Sequence, residues 1–433
     1  MKTPKIKSLF IILTAALLLL CLPLGTTGAA AGAASYAGAA VDFARNDKTL
    51  SQDAARLELY ARSAVLIDGS NNRILYGKNE NEIMPMASTT KIMTLVIALE
   101  NADLDGVVTF SPYAASQPDV QLNALKGEQY RLGDLLYVMM LKSYNDVAVA
   151  IAEYVGEVHI NGAQDGGLTA KRSPEESKRY VAEFAALMNE KAQKLGCADT
   201  YFITPNGLDA QDGSGTHSTT AYELAKIAAY AVENETVTKI CTTRNYSCSE
   251  LNGKRNVSVA TTDRFLDMVS GAVGLKTGFT GNAGYCFVGA VKHEGRTFIS
   301  VVLASGWPPN KNYKWSDTKK LMNYGIDNYF PEKIFVAEEE HKKVKVEDGT
   351  VEEIGTYIPF SLEMLMRENE SVQVVYELRE SILAPVKANE QVGTVYIYLN
   401  GECFRTFPIL AKENCAKRDY FWFLKKIWDI FCL

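Results

Sequence analysis

Three short polar segments carry the chemistry this chain can do: Ser88-Thr89-Thr90-Lys91, Ser143-Tyr144-Asn145 and Lys276-Thr277-Gly278. In that order they describe a serine acyl-transfer site whose base is a lysine instead of a histidine. Ser88 and Lys91 are three residues apart. On a helix that spacing puts both side chains on one face, with the amine in reach of the hydroxyl proton. An ammonium cannot accept that proton, so the reading requires burial and neighbouring positive charge to lower the Lys91 pKa. Pro85 suits a chain that turns into the helix and leaves Ser88 exposed at its first turn.

The second segment lies 55 residues after Ser88, where two helical runs meet. A hydroxyl and an amide at such a break can point sideways into a cleft. Ser143 would relay a proton between Lys91 and a leaving amine, and Asn145 would orient Lys91 and bond a substrate amide. In the third segment, Thr277 can bond a carboxylate and Lys276 adds positive charge. Gly278 lets substrate backbone come close along a sheet edge. A strand edge beside a nucleophile also offers backbone N–H groups to an oxyanion. Each segment alone reads as a cap, a surface lysine or a turn; their order is what gives them weight.

The elements that must position them follow from pattern. Strands are expected at Ser63–Asp68 and Arg73–Gly77 around a Gly69–Asn72 turn, and at Tyr285–Val291 and Thr297–Ala304. Helices are expected over 88–100, Leu132–Met140 and Val147–Val155, and from about Tyr313 to Tyr329. A Gly-rich loop is expected from Gly156 to Arg172. Ser173-Pro174-Glu175-Glu176 then opens a long helix through a capping box, and Thr220 with Glu223 signals a second. From about Val336 the text changes to short β-prone runs with charged turns. This divides the chain into a catalytic domain over 45–335, a small β-sandwich over 336–410 and a tail helix over 415–433.

The chain has 433 residues, 47% of them apolar and 22% charged, with a formal net charge of -6. That balance argues against nucleic-acid binding. Lys2, Lys5 and Lys7, the apolar run Leu9–Leu24 and the small residues after it form an export signal over about 1–33. The alternative is a retained membrane anchor. Seven of the eight cysteines lie beyond it, an odd number. Cys241 with Cys248, and Cys403 with Cys415, are near enough in sequence to bridge, though spacing does not establish geometry. Scattered histidines and the lack of a CxxC pair argue against structural zinc. At the other end, Phe421, Leu424, Trp428 and Phe431 share a helical face opposite Lys425, Lys426 and Asp429. The segment is too short and charged to cross about 30 Å of hydrocarbon. It suits a helix lying in a membrane interface, the alternative being a helix docked on the protein's own core.

Taken together, Ala87–Thr94, Phe202-Ile203-Thr204-Pro205-Asn206-Gly207-Leu208-Asp209 and Gly274–Thr280 followed by Ala283-Gly284-Tyr285-Cys286 resemble the D-alanyl-D-alanine carboxypeptidases, the low-molecular-mass penicillin-binding proteins. The resemblance implies an α/β (α+β) penicillin-binding/β-lactamase-like catalytic domain, an antiparallel sheet flanked by helices, followed by a small all-β domain. It implies Ser88 as nucleophile, Lys91 as acylation base, and Ser143 and Asn145 as the second motif. Lys276, Thr277 and Gly278 would bind substrate, and the backbone N–H groups of Ser88 and Phe279 would form the oxyanion hole. The implied partners are a peptidoglycan stem peptide ending in D-Ala-D-Ala, β-lactams as covalent mimics, and a membrane surface under the tail helix, with export to the outer face of that membrane. No cofactor is implied. Tyr144 departs from the small residue usual in the family, Thr204 from a frequent Asn, and the Gly156–Arg172 loop is longer than usual.

Three rivals remain at this level. A class A β-lactamase needs a carboxylate for deacylation, and Glu183 and Glu190 sit inside a helical stretch without the Glu-x-x-Leu-Asn pattern. A transpeptidase or endopeptidase differs only in the acyl acceptor or the bond cut. A non-catalytic cell-wall-binding protein would have no need of all three motifs.

Overall fold

The computed structural model describes residues 57–162 and 172–431. The export signal over 1–33 and the middle of the expected loop lie outside the described residues.

The scaffold is a five-stranded antiparallel sheet. Its strands are β1 (Ser63–Asp68), β2 (Ile74–Lys78), β3 (Ala272–Thr280), β4 (Gly284–His293) and β5 (Arg296–Leu303), in the order β2-β1-β5-β4-β3. Both faces are covered, so the inner strands read as nearly continuous apolar runs whose alternate residues serve different cores. Ile299, Val301 and Leu303 of β5 enter the large helical core, while Phe298 and Val302 pack on the opposite side with Phe287, Trp315 and Leu321. The strand carrying Lys276-Thr277-Gly278 is β3, at the edge of the sheet.

Helices α1 (Lys91–Asn101), α2 (Leu132–Lys142), α3 (Asn145–Asn161), α4 (Pro174–Lys194) and α5 (Ala221–Glu233) build the helical side, and α6 (Tyr313–Asn328) covers the other face. The α4 capping box is complete: Ser173 Oγ accepts from Glu176 N, and Glu176 accepts from Ser173 N. At α5 only half of the expected box forms. Thr220 caps Glu223 N at 3.1 Å, but the Glu223 carboxylate turns to Thr200 Oγ1 and Asp199 N.

The expected loop from Gly156 starts too early. Helix α3 continues to Asn161 and stops at Gly162, whose φ of 64° is left-handed. Gly156 is a crossing point: a Cβ there would lie 2.1 Å from the Tyr180 carbonyl oxygen of α4, so the absent side chain brings two helices together. The far end of the connection is tied by Arg172, which pairs with buried Glu153 at 3.0 Å and with Glu157.

The β-domain begins at Phe330, ahead of the expected residue 336. Strand Phe330–Phe335 follows α6 after one residue and pairs with Leu362–Met366. The anticipated sandwich consists of sheets of two, three and four strands around one core that includes Val344, Ile354, Val395 and Ile409. Buried Arg73, just before β2, donates to the Leu365 carbonyl and pairs with Glu370, joining this domain to the catalytic sheet. All six cysteines among the described residues are unbridged, including Cys241, Cys248, Cys403 and Cys415.

Candidate active site

The nucleophile segment forms a 3-10 turn over Ala87–Thr90 that runs into α1 at Lys91, where a continuous helix was expected. Ala87 has φ 49°, a strained value for a residue with a Cβ, directly before Ser88. Two glycines let other chain segments close on this turn. A Cβ on Gly207, at φ +84°, would stand 1.9 Å from the Ala87 carbonyl oxygen, and one on Gly278 would stand 3.1 Å from Ser88 N. The edge strand therefore lies against the nucleophile turn as the third segment requires.

Lys91 is fully buried and its amine has three hydrogen-bond partners: Ser88 Oγ at 2.9 Å, Asn145 Oδ1 at 2.9 Å and the Asn206 carbonyl at 2.5 Å. Two of these accept only. The Asn145 amide is oriented because its Nδ2 donates to the carbonyls of Pro118 and Asp119, leaving Oδ1 toward Lys91. A neutral amine has two N–H groups and one lone pair. With the N–H groups spent on Asn145 and Asn206, the lone pair is left for the Ser88 hydroxyl, the geometry of a general base.

The electrostatics favour that neutral form. Burial, followed by the positive charge of Lys276, pushes the Lys91 pKa well below its ordinary 10.5, with Asp146 opposing. Lys276 is also buried and is lowered to about 8, with Asp263 and Cys241 opposing its loss of charge. Lys276 stays largely cationic at neutral pH, and its charge disfavours a second ammonium at Lys91. The Lys276 amine donates to the Thr277 carbonyl at 3.0 Å.

The motif positions are distributed as follows. Asn145 opens α3 and reaches Lys91 directly. Ser143 ends α2 in a left-handed conformation, φ 67°, at the corner between the two helices. Among the described hydrogen bonds its hydroxyl has none to Lys91 or Ser88. Thr277 and Gly278 lie beside Lys276 on β3, and Phe279, next along the strand, is exposed and packs on Tyr285 at 4.7 Å between ring centroids. Glu183 and Glu190 are engaged elsewhere on the long helix, facing His159 and Lys194.

Two participants were missed in the motif reading. The Asn206 carbonyl accepts from Lys91 and lies 3.3 Å from Ser88 Oγ, where it is the alternative acceptor for the one hydroxyl proton when Lys91 is charged. A backbone acceptor leaves no residue-type signal, although Pro205-Asn206-Gly207 reads as a tight turn. The second is Asp263, which shares a recess with Lys276, Thr277 and Thr262, and whose pKa burial raises to about 6.

Comparison with known proteins matches this arrangement. Residues 47–163 and 180–306 fit the D-alanyl-D-alanine carboxypeptidase peptidase family, and residues 329–417 fit the C-terminal domain of penicillin-binding protein 5. The D-alanyl-D-alanine carboxypeptidase DacF of Bacillus subtilis is 29% identical over 394 residues, spanning 89% of this chain and 92% of the relative. A Streptomyces D-alanyl-D-alanine carboxypeptidase is 33% identical over 262 residues, 58% of this chain and 82% of its own. Among solved structures, penicillin-binding protein 5 of Haemophilus influenzae shares the fold, with TM-score 0.66 and 23% identity over 83% of this chain and 98% of that one. A Streptomyces DD-transpeptidase superposes with TM-score 0.53 and 29% identity over 62% and 98%. Sequence match and two-domain architecture agree: the chain belongs to the D-alanyl-D-alanine carboxypeptidase family of serine-type penicillin-binding enzymes.

Proposed function

We propose that this enzyme removes the terminal D-alanine of peptidoglycan stem pentapeptides through an acyl-enzyme on Ser88. Lys91 takes the hydroxyl proton as Ser88 attacks the carbonyl between the two D-alanines. The oxyanion forms against the backbone N–H groups of Ser88 and Phe279. Lys276 and Thr277 hold the terminal carboxylate, and Gly278 leaves room for the substrate backbone along β3. Ser143 carries the proton on to the departing D-alanine, and water releases the shortened peptide. A β-lactam presents an analogous amide carbonyl, strained by its four-membered ring, with a carboxylate nearby, and acylates Ser88 in the same way.

The observation that carries this reading is the triple contact of Lys91, which directs a neutral amine at Ser88. The test is covalent labelling by a fluorescent penicillin together with D-alanine release from a D-Ala-D-Ala pentapeptide. The wild-type chain should do both and Ser88→Ala neither; an unlabelled wild type would end the proposal. The DD-transpeptidase relative supports a second fate for the acyl-enzyme, so the assay includes an added amino acceptor, whose acylated product would reveal transfer.

We further propose that the tail helix α7 (Tyr420–Phe431) holds the enzyme on the outer face of the cell membrane. None of its residues is buried, and Phe421, Trp428, Ile430 and Phe431 are at least 70% exposed. On the polar side Trp422 is covered by Arg418 and Lys426, whose charged groups lie 5.0 and 5.7 Å from its ring. No helix among the described residues is long and apolar enough to cross a membrane. An uncovered aromatic face backed by lysines fits the headgroup region of a bilayer.

A further inference from the structure

The loop that supplies the Asn206 carbonyl is itself fastened to the nucleophile turn by a buried imidazole. We propose that His217 is a positioning residue for acylation, bridging the turn that carries Ser88 and Lys91 to the loop whose carbonyl orients the Lys91 amine. This rests on the assignment of Ser88 and Lys91 made above.

The ring is 2% exposed and each of its nitrogens is engaged. Nδ1 accepts from the backbone N–H of Ile203 at 2.9 Å, with that of Thr204 at 3.4 Å. Those bonds require Nδ1 to carry no proton, so Nε2 is the donor, and it meets Thr90 Oγ1 at 2.8 Å. Thr90 in turn donates to the Ala87 carbonyl at 2.8 Å, on the strained residue before Ser88. The His217 backbone closes the same loop by donating to the Ala210 carbonyl. A second tie runs from Thr94 Oγ1 of α1 to the Pro205 carbonyl at 2.6 Å. The Asn206 carbonyl thus lies on a short span held at Ile203 by the ring and at Pro205 by Thr94.

Only the neutral ring can do this. An imidazolium would lose the acceptor for Ile203 and place a second positive charge toward Lys91. Burial first, and Lys91 second, lower the His217 pKa to about 4, so the ring is neutral through the working range. Lys91 is the titratable group facing it from the nucleophile turn and acts on it in its ammonium form; the Ile203–Thr204 side presents backbone N–H groups, and Phe202 packs edge-on at 5.9 Å. Lys276 and Asp146 act on Lys91 in their turn.

Three substitutions in the full chain separate the halves of the clamp. His217→Asn keeps an acceptor for Ile203, His217→Gln keeps a donor toward Thr90, and His217→Ala keeps neither. The measurement is the second-order rate constant for acylation by a fluorescent penicillin across pH, with the thermal midpoint of each variant. His217→Ala should slow acylation by roughly 10- to 100-fold, the cost of a small displacement of a catalytic group, with the two half-variants between. Because burial is the main cause of the low Lys91 pKa, loosening the loop admits water, and the acid limb of the profile should move to higher pH. If His217→Ala does not fold, the half-variants decide. Folded variants with a wild-type rate would overturn the proposal, as would a lowered thermal midpoint with the acid limb unmoved. Ser88→Ala is the control: labelling that survives it breaks the nucleophile assignment, whereas normal His217 variants beside an unlabelled Ser88→Ala break this inference alone.

Discussion

At the residue scale the site depends on two buried lysines, each held below its ordinary pKa chiefly by burial. Lys276 holds Lys91 down by its charge and is itself held cationic by Asp263. Replacing Lys276 with Met removes a positive neighbour, so the Lys91 pKa rises and less of it is neutral at a given pH. The acid limb of acylation should therefore shift upward in pH. On the role proposed for Lys276, the same change would also remove a charge-assisted bond to the substrate carboxylate, worth about 1.5–3 kcal/mol, or roughly 10- to 100-fold in kcat/KM for the pentapeptide. Steady-state kinetics over pH would show both. An unmoved limb would mean that Lys276 does not tune the base.

Among the elements, α3 supplies Asn145 at its first residue and ends near the tie that matters for its stability. Glu153 on α3 is completely buried, bonded by Ser111 Oγ at 2.7 Å and paired with Arg172 across the connection to α4. Burial raises the Glu153 pKa above its ordinary 4.5 despite these partners. Arg172→Ala takes away the compensating charge, and loss of one partner of a buried pair typically costs about 3–5 kcal/mol. The pH dependence has a definite sign. Without Arg172 the folded-state pKa of Glu153 rises further, so the folded chain binds more protons than the unfolded one above pH 4.5. The deficit should be small in acid and grow as pH rises through the folded-state value. Denaturant unfolding at several pH values would measure it, and a deficit independent of pH would exclude this cause.

Across the whole molecule, the β-domain is tied to the catalytic sheet at one end and leads to the tail helix at the other. The tie is the Arg73–Glu370 pair and the bond from Arg73 to the Leu365 carbonyl. The chain up to Arg418 belongs to the β-domain, since Arg418 N donates to the Asp348 carbonyl at 2.7 Å. Asp419 caps the helix through Trp422 N at 2.8 Å. Ending the chain after Asp419 should thus remove the membrane contact without disturbing either domain. The truncated enzyme should move from the membrane pellet to the soluble fraction and keep its penicillin labelling. Unchanged pelleting would end the anchor proposal.

The three motifs, the edge position of Lys276-Thr277-Gly278 and the helix junction at Ser143–Asn145 were legible in the sequence, because residue type, spacing and apolar period are local properties. So was the capping box at Ser173, which involves four consecutive residues. Other features depended on what folds against what. Gly156 looked like a helix breaker and is a contact with Tyr180; Glu223 looked like half of a cap and binds Thr200 instead. The Asn206 carbonyl and the His217 bridge have no signature at all, since every residue has a carbonyl and a lone histidine carries no direction. The pKa of Lys91 belongs to the same class: the chain names a lysine, but only burial and the approach of Lys276 make it a base. Which residues could act was written in the chain, and which way the amine points was decided by loops brought together across more than a hundred residues.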